Sequence, residues 1–466
     1  MKKIFSPHPS LLLALMMASA CAVGPDYEKP PVETPAVFKE AGNWKQSTPQ
    51  DAIDRGAWWT IYQDPILNAL ESQIDISNQN LKQSEAAYRA ATALADQTRA
   101  SLFPTVSANK ATTRNGRGTH TAATTYDLSA GASWSLDVWG KIRRAVEGDE
   151  ARAEASAAEL ASARLSAQAE LATDYFALRV QDELQRLLDK TVENDQKILT
   201  IVENQYKAGV AAQSDLLSAQ TEVENARVPA IGAGIKRAQL EHAIAVLVGK
   251  APSDFTLASV NAVGKVPMIP ADVPSVLLER RPDIASAERQ MAAANAGIGV
   301  AEAAYYPDLT LSASYGFSTT VLDNLLKAAS TVWSFGASVG GTLIDFGARD
   351  SATEEARVNF DVSVATYRQT VLTAFQSVED NLAAQRILVD QEKAQNLATA
   401  SARKNEQVSL NQYKEGLVPY NAVLLAQITR LNDEQASLSV LGNRLVASVA
   451  LIESLGGGWD AGRLAR

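Results

Sequence analysis

The chain has 466 residues, of which 46% are hydrophobic and 6% aromatic, and much of the hydrophobic content is alanine. This length predicts two to four domains, and alanine-rich apolar faces favour closely packed helices over a bulky globular core. The chain carries 43 lysines and arginines against 53 acidic residues, a net charge of −10 that excludes nucleic acid as an expected partner. The acidic residues either line a passage that favours cations or belong to ordinary solvated helix faces.

Residues 1–20 have the composition of an export signal. Lys2 and Lys3 precede an apolar run from residue 11 to residue 17, and small residues follow it. The run is much shorter than the roughly twenty apolar residues of a membrane-spanning helix, and no later stretch is expected to come close. Cleavage of the signal removes two lysines, which leaves 41 basic and 53 acidic residues and a net charge of −12.

Cys21, the only cysteine of the chain, directly follows the signal. This placement resembles the processing site of a bacterial lipoprotein, where the thiol is lipidated and the cysteine becomes the new N-terminus. The alternative is an ordinary residue of a signal cleaved elsewhere, and Ala18 stands where lipoprotein signals usually carry leucine. Ala22 replaces the aspartate that would resemble an inner-membrane retention signal, so the sequence points to the outer membrane. A single cysteine also excludes an internal disulfide.

A tandem repeat organises the rest of the chain. The segments 204–209 and 411–416 read NQYKAG and NQYKEG, 207 positions apart. Upstream, four further matches are spaced by 203 positions: Glu85 with Glu288, Ala93 with Ala296, Ala100 with Ala303, and Pro104 with Pro307. One unit of about 200 residues therefore occurs twice.

Clusters of proline mark the irregular connections around these units. From them we predict an organisation in six segments: a signal at 1–20, a lipidated extended segment at 21–63, repeat 1 at 64–250, an equatorial linker at 251–274, repeat 2 at 275–458 and a tail at 459–466. Each repeat is predicted to contain a helix, two strands and a long helical hairpin, in that order.

Alternation of apolar and polar residues predicts the strands. The pattern occurs in four segments, which are residues 106–108, 126–138, 309–317 and 333–339. Asn115 and Gly116 mark a turn or loop inside the first pair, so we predict two strands in each repeat, at about 104–139 and 307–346. Their length and aromatic ends match transmembrane β-barrel strands, and the alternative is a soluble hairpin with one wet face.

Two stretches of 68 residues contain no proline and at most one glycine, and both are predicted to be coiled-coil-like rods. They lie between Gly140 and Gly209 and between Gly347 and Gly416. A continuous helix of this length measures on the order of 100 Å. Gly209 and Gly416 are predicted to end the rods and to turn the chain into a returning helix, because glycine supplies the backbone freedom that ends a helix.

The returning helices differ between the repeats. In repeat 1, Pro229 is predicted to interrupt the helix. In repeat 2, apolar residues follow one another at three, four or seven positions and predict one continuous packing seam: Leu424, Ile428, Leu431, Leu438, Leu441, Leu445, Val449 and Ile452. This seam is assigned to packing and to no chemistry.

Four strands cannot cross a bilayer as an open sheet. The backbone N–H and C=O groups at its two edges would be unpaired in hydrocarbon, at a cost of several kcal/mol each. The sheet must therefore close through partner chains, which predicts a homo-oligomer with a shared barrel.

Five motifs in this order resemble the outer-membrane efflux lipoproteins of the TolC-like family. They are CAVGPDYEKP at 21–30, WW at 58–59, LERRPDI at 278–284, the paired YKxG turns, and LGGGW at 455–459. The resemblance spans essentially the whole mature chain. It implies an α+β membrane protein that forms a homotrimer. A 12-stranded outer-membrane β-barrel, with four strands from each chain, is then continued by a long periplasmic α-helical barrel with an irregular equatorial region.

The resemblance also implies a function and its partners. The protein would be the exit duct through which drugs, solvents or other toxic solutes leave the cell. It would work with a periplasmic adaptor protein and an RND-type inner-membrane transporter, and it would be held in outer-membrane lipid. The alternative is a structural protein, a periplasm-spanning tether or coiled-coil adaptor that conducts nothing. A tether, however, does not need four strands with alternating apolar and polar residues.

In that family, residues on and after the YKxG turns close the periplasmic mouth. Carried over by motif, the gate and tip residues are Tyr206, Asp215, Tyr413, Asn421 and Leu425, and the turn glycines are Gly209 and Gly416. Repeat 2 departs from the pattern, because Ala422 and Leu425 stand where many members have aspartate. We therefore expect a leucine collar that resists wetting in place of an acidic ring. The alternative is that the tip residues only pack the hairpins together.

Catalysis is not expected of this chain. The mature chain has only two histidines, His120 and His242, and lacks a catalytic triad, a phosphate-binding glycine loop and zinc-ligand spacing. No cofactor is expected apart from covalent lipid on Cys21. Soft-metal export is a weaker candidate, since Met268 and Met291 are too few for a methionine relay.

Overall fold

A computed structural model describes residues 22–35, 37–41, 56–116, 122–260, 263–267, 269 and 281–459. The helices are α1 (Pro65–Ser77), α2 (Gln79–Ala100), α3 (Lys141–Lys207), α4 (Gln213–Leu247), α5 (Pro282–Ala303), α6 (Ala348–Lys414) and α7 (Tyr420–Ser454). The strands are β1 (Thr105–Asn115), β2 (Ala123–Leu136), β3 (Asp308–Thr319) and β4 (Thr331–Gly340). The predicted signal, Cys21, His120 and Met268 lie outside the described residues.

The chain divides into two compact units. One, named here the sheet unit, contains the described residues of Met1–Val32, Ala86–Ala158 and Ala285–Thr370. The other, the hairpin unit, contains the described residues of Glu33–Glu85, Glu159–Ile284 and Val371–Arg466. Each unit takes segments from both repeats, so neither repeat forms a compact body of its own.

The sheet unit contains one antiparallel sheet with the strand order β1-β2-β3-β4. The predicted strands are confirmed. The first is longer and more regular than its sequence pattern indicates, since β1 runs for 11 residues and pairs with β2 along its whole length. Pairing with β2 supplies the regularity that the polar residues of β1 do not encode. β1 ends at Asn115, which pairs with Ala123, and most of the connection that the sequence predicts after it lies outside the described residues.

The register gathers the apolar side chains of all four strands on one face, because residues paired across an antiparallel sheet share a face. One row contains Ala108, Ala130, Tyr315 and Trp333, and the next row toward the helices contains Val106, Ala132, Ala313 and Phe335. The opposite face is small and polar, and one of its rows contains Ser107, Gly131, Ser314 and Ser334. The described part of β1 and β4 has no further strand beside it.

The two long hairpins have the same element lengths. Helices α3 and α6 have 67 residues each, and α4 and α7 have 35 each. Both rods are therefore confirmed as continuous helices. All four element ends in repeat 2 lie 207 positions after those in repeat 1, the spacing of the sequence repeat.

The turns at the ends of the rods are also alike. Gly209 and Gly416 both adopt φ +73°, a conformation that favours glycine. The Val210 N–H donates to the Gln205 carbonyl at 2.9 Å, and in repeat 2 the Leu417 N–H donates to the Gln412 carbonyl at 2.8 Å. This 6→1 bond is the Schellman arrangement that closes helix C-termini, which confirms both residues as turn glycines.

Two expectations about the returning helices are wrong. Pro229 does not interrupt α4, which continues through it from Gln213 to Leu247. Proline removes one hydrogen bond from a helix interior, but Ala226 and Ala230 are buried on either side and hold the helix in place. Gln185 also donates to the Ala230 carbonyl at 2.9 Å, from the neighbouring helix.

The apolar seam of α7 is buried only at its C-terminal end. Leu445, Val449 and Ile452 are buried, whereas Ile428 is 40% exposed. Nearer the turn, Tyr420 and Val423 are buried, but the buried face also carries polar residues, among them Arg430. Apolar spacing identified the helix but not the face that packs in this part of it.

The expectation that no later stretch comes close to a membrane span is also too strict. By length and composition alone, the described helix α7 is apolar enough to cross a membrane. One such helix is weak support for a span. In α7, Arg430 and Glu434 are buried and paired inside the hairpin unit, which favours packing within the protein as the reason for its composition.

Candidate functional site

The candidate site is the turn end of the two hairpins, in the hairpin unit. A hydrophobic cluster joins them there, with Ile198, Leu199, Val202, Ala219 and Val223 from repeat 1 and Tyr413, Tyr420 and Val423 from repeat 2. The rings of Tyr413 and Tyr420 lie 5.6 Å apart between centroids. Repeat 1 and repeat 2 therefore share one core at the turns.

The predicted tip residues occupy different environments. Tyr413 is buried, with 7% of its surface exposed, whereas Tyr206 is 41% exposed. Asp215 lies in the first turn of α4, Asn421 is exposed, and Leu425 is 66% exposed. The two turn tyrosines of the repeats therefore differ in burial, although their sequence motifs are nearly identical.

Tyr413 faces an acidic residue of the other repeat without a hydrogen bond to it. Its hydroxyl is buried and has no hydrogen-bond partner among the described residues. Burial raises the pKa of Tyr413, and the charge of Asp215 raises it further. The structure thus brings Tyr413 and Asp215 close enough to interact electrostatically, but it leaves the hydroxyl unsatisfied.

A buried polar cluster lies next to this core, and the sequence reading missed it. Gln427 of α7 donates to Asp195 of α3 at 2.9 Å, which joins the two hairpins. Arg430 Nε lies 2.8 Å from a carboxylate oxygen of Glu406, and its guanidinium also pairs with Glu434. Arg430 Nη2 and Gln427 Oε1 are buried without hydrogen-bond partners in the described chain.

Carboxylates outnumber the arginines of this cluster. Asp195, Glu222, Glu406 and Glu434 meet Arg430 and Arg403, and Arg403 donates to Glu434 at 2.6 Å from a mostly exposed position. Burial, Glu222 and Glu406 raise the pKa of Asp195 to about 7, against the lowering influence of Arg430. Burial likewise raises the pKa of Glu222 and of Glu406. The pKa of Asp195 thus lies in the neutral range.

Three of the cluster's charged residues have apolar counterparts in the other repeat. Glu406 and Arg430 correspond, 207 positions earlier, to Leu199 and Val223, which are both buried in the tip core. Asp195 corresponds to Ala402, which is also buried. The charged cluster is therefore a feature of one hairpin pair and not of the repeated unit. A comparison of aligned repeats, made position by position, was the signal that could have found it.

Replacing Asp195 with asparagine should remove a pH dependence. The pKa of this carboxyl is about 7 in the folded protein and about 3.9 when unfolded, so its stabilising contribution is complete at acid pH and is lost as the pH rises from about 4 to about 7. The asparagine amide would keep an acceptor for Gln427 without the charge. We expect Asp195→Asn to gain stability on the order of 2 kcal/mol near pH 8.

Thermal unfolding midpoints between about pH 5 and about pH 8 measure this effect. Glu193→Gln is the matched control, because Glu193 lies on the same helix but is exposed, and Lys190 and Lys197 lower its pKa to about 2. It should leave the slope with pH unchanged. Equal slopes in wild type and Asp195→Asn would show that Asp195 does not titrate in this range.

The sequence also carried no sign of the contacts that the N-terminal segment after Cys21 makes within the sheet unit. The Val23 N–H donates to the Trp139 carbonyl at 3.0 Å, just after β2. Arg144 donates to the carbonyls of Val23 and Gly24, each at 3.2 Å. Gly24 has φ +95°, and a Cβ atom on it would lie 2.4 Å from the Cα atom of Gly299. Only glycine fits this contact, which fixes the residues after Cys21 beside the end of the strands.

No group of three or more His, Cys, Asp or Glu residues suited to a metal ion occurs among the described residues. Of the two histidines of the mature chain, only His242 is described, on α4. The polar groups of the tip lie in helix packing rather than around a cavity with a nucleophile. This arrangement is a packing contact that holds the two hairpins together.

A sheet with one apolar face, combined with two long helical hairpins that meet at their turns, defines the class of outer-membrane channel subunits. Comparison with known proteins identifies the family. The family model for outer membrane efflux proteins matches residues 70–250 and 273–457. The chain therefore belongs to the outer membrane efflux protein family, and it is a protein of the outer membrane.

Individual relatives agree with this assignment. The solvent efflux pump outer membrane protein SrpC of Pseudomonas putida is 29% identical over 472 residues, which cover 96% of this chain and 98% of that protein. The solved outer-membrane channel OprN superposes with a TM-score of 0.88 at 28% identity, covering 94% of this chain and 100% of OprN. The open state of the MtrE outer membrane channel of Neisseria gonorrhoeae gives a TM-score of 0.85 at 26% identity, covering 95% and 99%.

Proposed function

We propose that this protein is the outer-membrane exit duct of a tripartite efflux pump and passively conducts drugs or other toxic solutes out of the cell. The observation that carries the proposal is the sheet. Its register gives one largely apolar face, one face of mostly small and polar residues and, in the described chain, two free edges. An apolar face suits lipid and a polar face suits a water-filled lumen, and free edges require closure by further strands.

The repeat supports closure through further copies of the chain. Within one chain, α3 packs on α7 so closely that a Cβ atom on Gly442 would lie 3.1 Å from Val180. The residues 207 positions away are Ile387 on α6 and Ile235 on α4, and they are 56% and 66% exposed. A second copy that repeats the α3–α7 contact would cover both. Three chains of four strands would then close a 12-stranded barrel, with a homotrimer as the functional unit.

The partners and cargo follow from the pump architecture. A passive duct needs a periplasmic adaptor and an energised RND-type transporter in the inner membrane, and specificity resides mostly in them. SrpC is named for solvent efflux, and small toxic apolar solutes are the cargo class that we propose for this chain. Covalent lipid on Cys21 would anchor the protein, with the segment seated by Gly24 placing the anchor beside the strand ends.

Conductance in planar lipid bilayers tests the proposed function. The purified full-length protein is expected to give discrete single-channel steps, to require detergent for extraction from outer membranes and to migrate differently on gels before and after heating. A protein that is released by osmotic shock and conducts nothing would support the structural tether instead.

We also propose that the turn end is the gate, with Leu425 in a leucine collar. Leu425 is 66% exposed on α7, and its repeat-1 counterpart is Ser218, so the helix tolerates serine at this position. Leu425→Ser is expected to raise single-channel conductance on the order of twofold, since hydrophobic constrictions gate by dewetting. Leu417→Ser is the control, because Leu417 is similarly exposed at the turn but outside the helix. Unchanged conductance in Leu425→Ser would exclude the collar.

A further inference from the structure

The first strand carries positive charge on the apolar face of the sheet. Lys110 pairs with Leu128, which pairs in turn with Phe317, so these three side chains share a face. Arg114 lies on the same face, four residues closer to the β1–β2 connection, and pairs with Thr124. Both basic side chains are exposed. Basic residues on a face otherwise suited to lipid need a specific reason, because charge is unfavourable in hydrocarbon.

Neither basic residue is neutralised by the described chain. Neither Lys110 nor Arg114 has an ion-pair partner there. The acidic residue nearest along the sheet is Asp127, which pairs with Ala111 on the opposite face and accepts a hydrogen bond from Ser318 at 2.6 Å. In sequence, residues 97–126 contain no Asp or Glu at all, although the chain has 53. This segment is a local positive region in an acidic protein.

The second repeat lacks this charge. At the spacing of 203 positions, Lys110 and Arg114 correspond to Ala313 and Phe317. Both counterparts lie on the same apolar face. The charge therefore belongs to the first hairpin only and is not required to form the repeated strand pair.

The depth of these residues matches a membrane surface. Leu136, at the helix end of the sheet, lies eight residues from Leu128 along β2, which is about 27 Å along a strand and roughly 20 Å across the bilayer at the usual tilt. Lys110 therefore lies near the upper edge of an apolar band about 25 Å tall, and Arg114 lies about 10 Å higher. A lysine at that depth can extend its ammonium group to the interface.

We propose that Lys110 and Arg114 form a docking site for the phosphate groups of an outer-leaflet glycolipid. The proposal rests on the proposed function, because it requires the apolar face to contact lipid. The β1–β2 connection is the end of the sheet away from the helices, so this edge faces the outside of the cell. Lysine and arginine at this level bind lipid phosphates by charge and hydrogen bonding. The lipid would brace the first hairpin, which has fewer apolar side chains than the second.

Native mass spectrometry of the detergent-solubilised full-length protein tests the proposal with purified bisphosphorylated lipid A as the probe. The Lys110→Gln, Arg114→Gln double variant is expected to retain the lipid roughly 25-fold less well, since each basic group near an anionic surface contributes about fivefold. Lys327→Gln is the matched control, because Lys327 is exposed in the β3–β4 connection and donates to Asn324. It should retain wild-type lipid binding.

Three results would overturn the proposal. They are equal lipid retention by the double variant, equal retention of dephosphorylated lipid by the wild type, and displacement of the lipid by millimolar inorganic phosphate, which would indicate a site for the free anion. Single-channel conductance of the same samples separates this proposal from the proposed function. A double variant that conducts but has lost the lipid supports the docking site, whereas a wild type that binds the lipid but does not conduct argues only against the channel.

Discussion

Replacing Arg430 with leucine is expected to lower the free energy of unfolding by about 3–5 kcal/mol. Arg430 is 7% exposed and pairs with Glu406 and Glu434 in the buried cluster beside the tip core. Removing it would leave these carboxylates and Asp195 without their buried counter-charge. An uncompensated buried charge costs far more than an exposed ion pair contributes. Thermal unfolding of the detergent-solubilised protein, followed by circular dichroism, measures the loss.

A double variant based on repeat 1 is expected to recover the stability that Arg430→Leu loses. Leu199 and Val223 occupy the positions of Glu406 and Arg430 there and pack in the same tip core. The Glu406→Leu, Arg430→Val double variant copies this apolar pair and is expected to recover most of the stability, because a buried ion pair is often replaceable by well-packed apolar residues. If the double variant is no more stable than Arg430→Leu, the loss comes from packing volume and not from unpaired charge.

The same variant also tests the proposed gate at the turn end. Gln427 and Asp195 join the hairpins within this cluster at 2.9 Å, and uncompensated charge there favours separation of the hairpins. The wider tip would raise single-channel conductance in Arg430→Leu. The rescued double variant should return to the wild-type value, since the packing between the hairpins is restored.

Elements with a strong local signal were predictable from the sequence. Gly209 and Gly416 end the rods because a left-handed glycine closes each helix, and the bounds of α3 and α6 follow from them. Strand alternation located the sheet for a similar reason, since the pleat fixes which side chains share a face. β1 was the exception, because Lys110 and Arg114 break its apolar pattern and pairing with β2 supplies its regularity.

The tip cluster was not predictable from periodicity. Arg430 and Glu434, four residues apart, have the spacing of an exposed ion pair on a helix surface. In the structure, Arg430 instead lies against Glu406 of α6 and interacts with the charge of Asp195 on α3. Gly24 illustrates the same limit, because its role depends on the approach of Gly299. Such contacts are non-local, so hydrophobic periodicity carries no sign of them, and only the difference between the aligned repeats pointed to the tip cluster.

Replacing Ile387 with aspartate is expected to dissociate the proposed trimer. Ile387 is 56% exposed on α6 and is the repeat counterpart of Val180, which packs on α7 within one chain. If a second copy repeats that contact through Ile235, an aspartate there buries an unpaired charge at each of the subunit interfaces, at a cost of several kcal/mol each. Size-exclusion chromatography with light scattering measures the change from trimer to monomer.

Leu397→Asp is the matched control for Ile387→Asp. Leu397 lies on the same helix and is 73% exposed, but its repeat counterpart is Lys190, an exposed residue paired with Glu193. A position that faces solvent in one repeat should tolerate charge in the other, so this variant should remain trimeric. A charge pair distinguishes a broken interface from a misfolded chain. The Ile387→Asp, Ile235→Lys double variant should form the trimer again, because the two opposite charges would meet across the same contact. If the Ile387→Asp single variant is still a trimer, the subunit interface lies elsewhere.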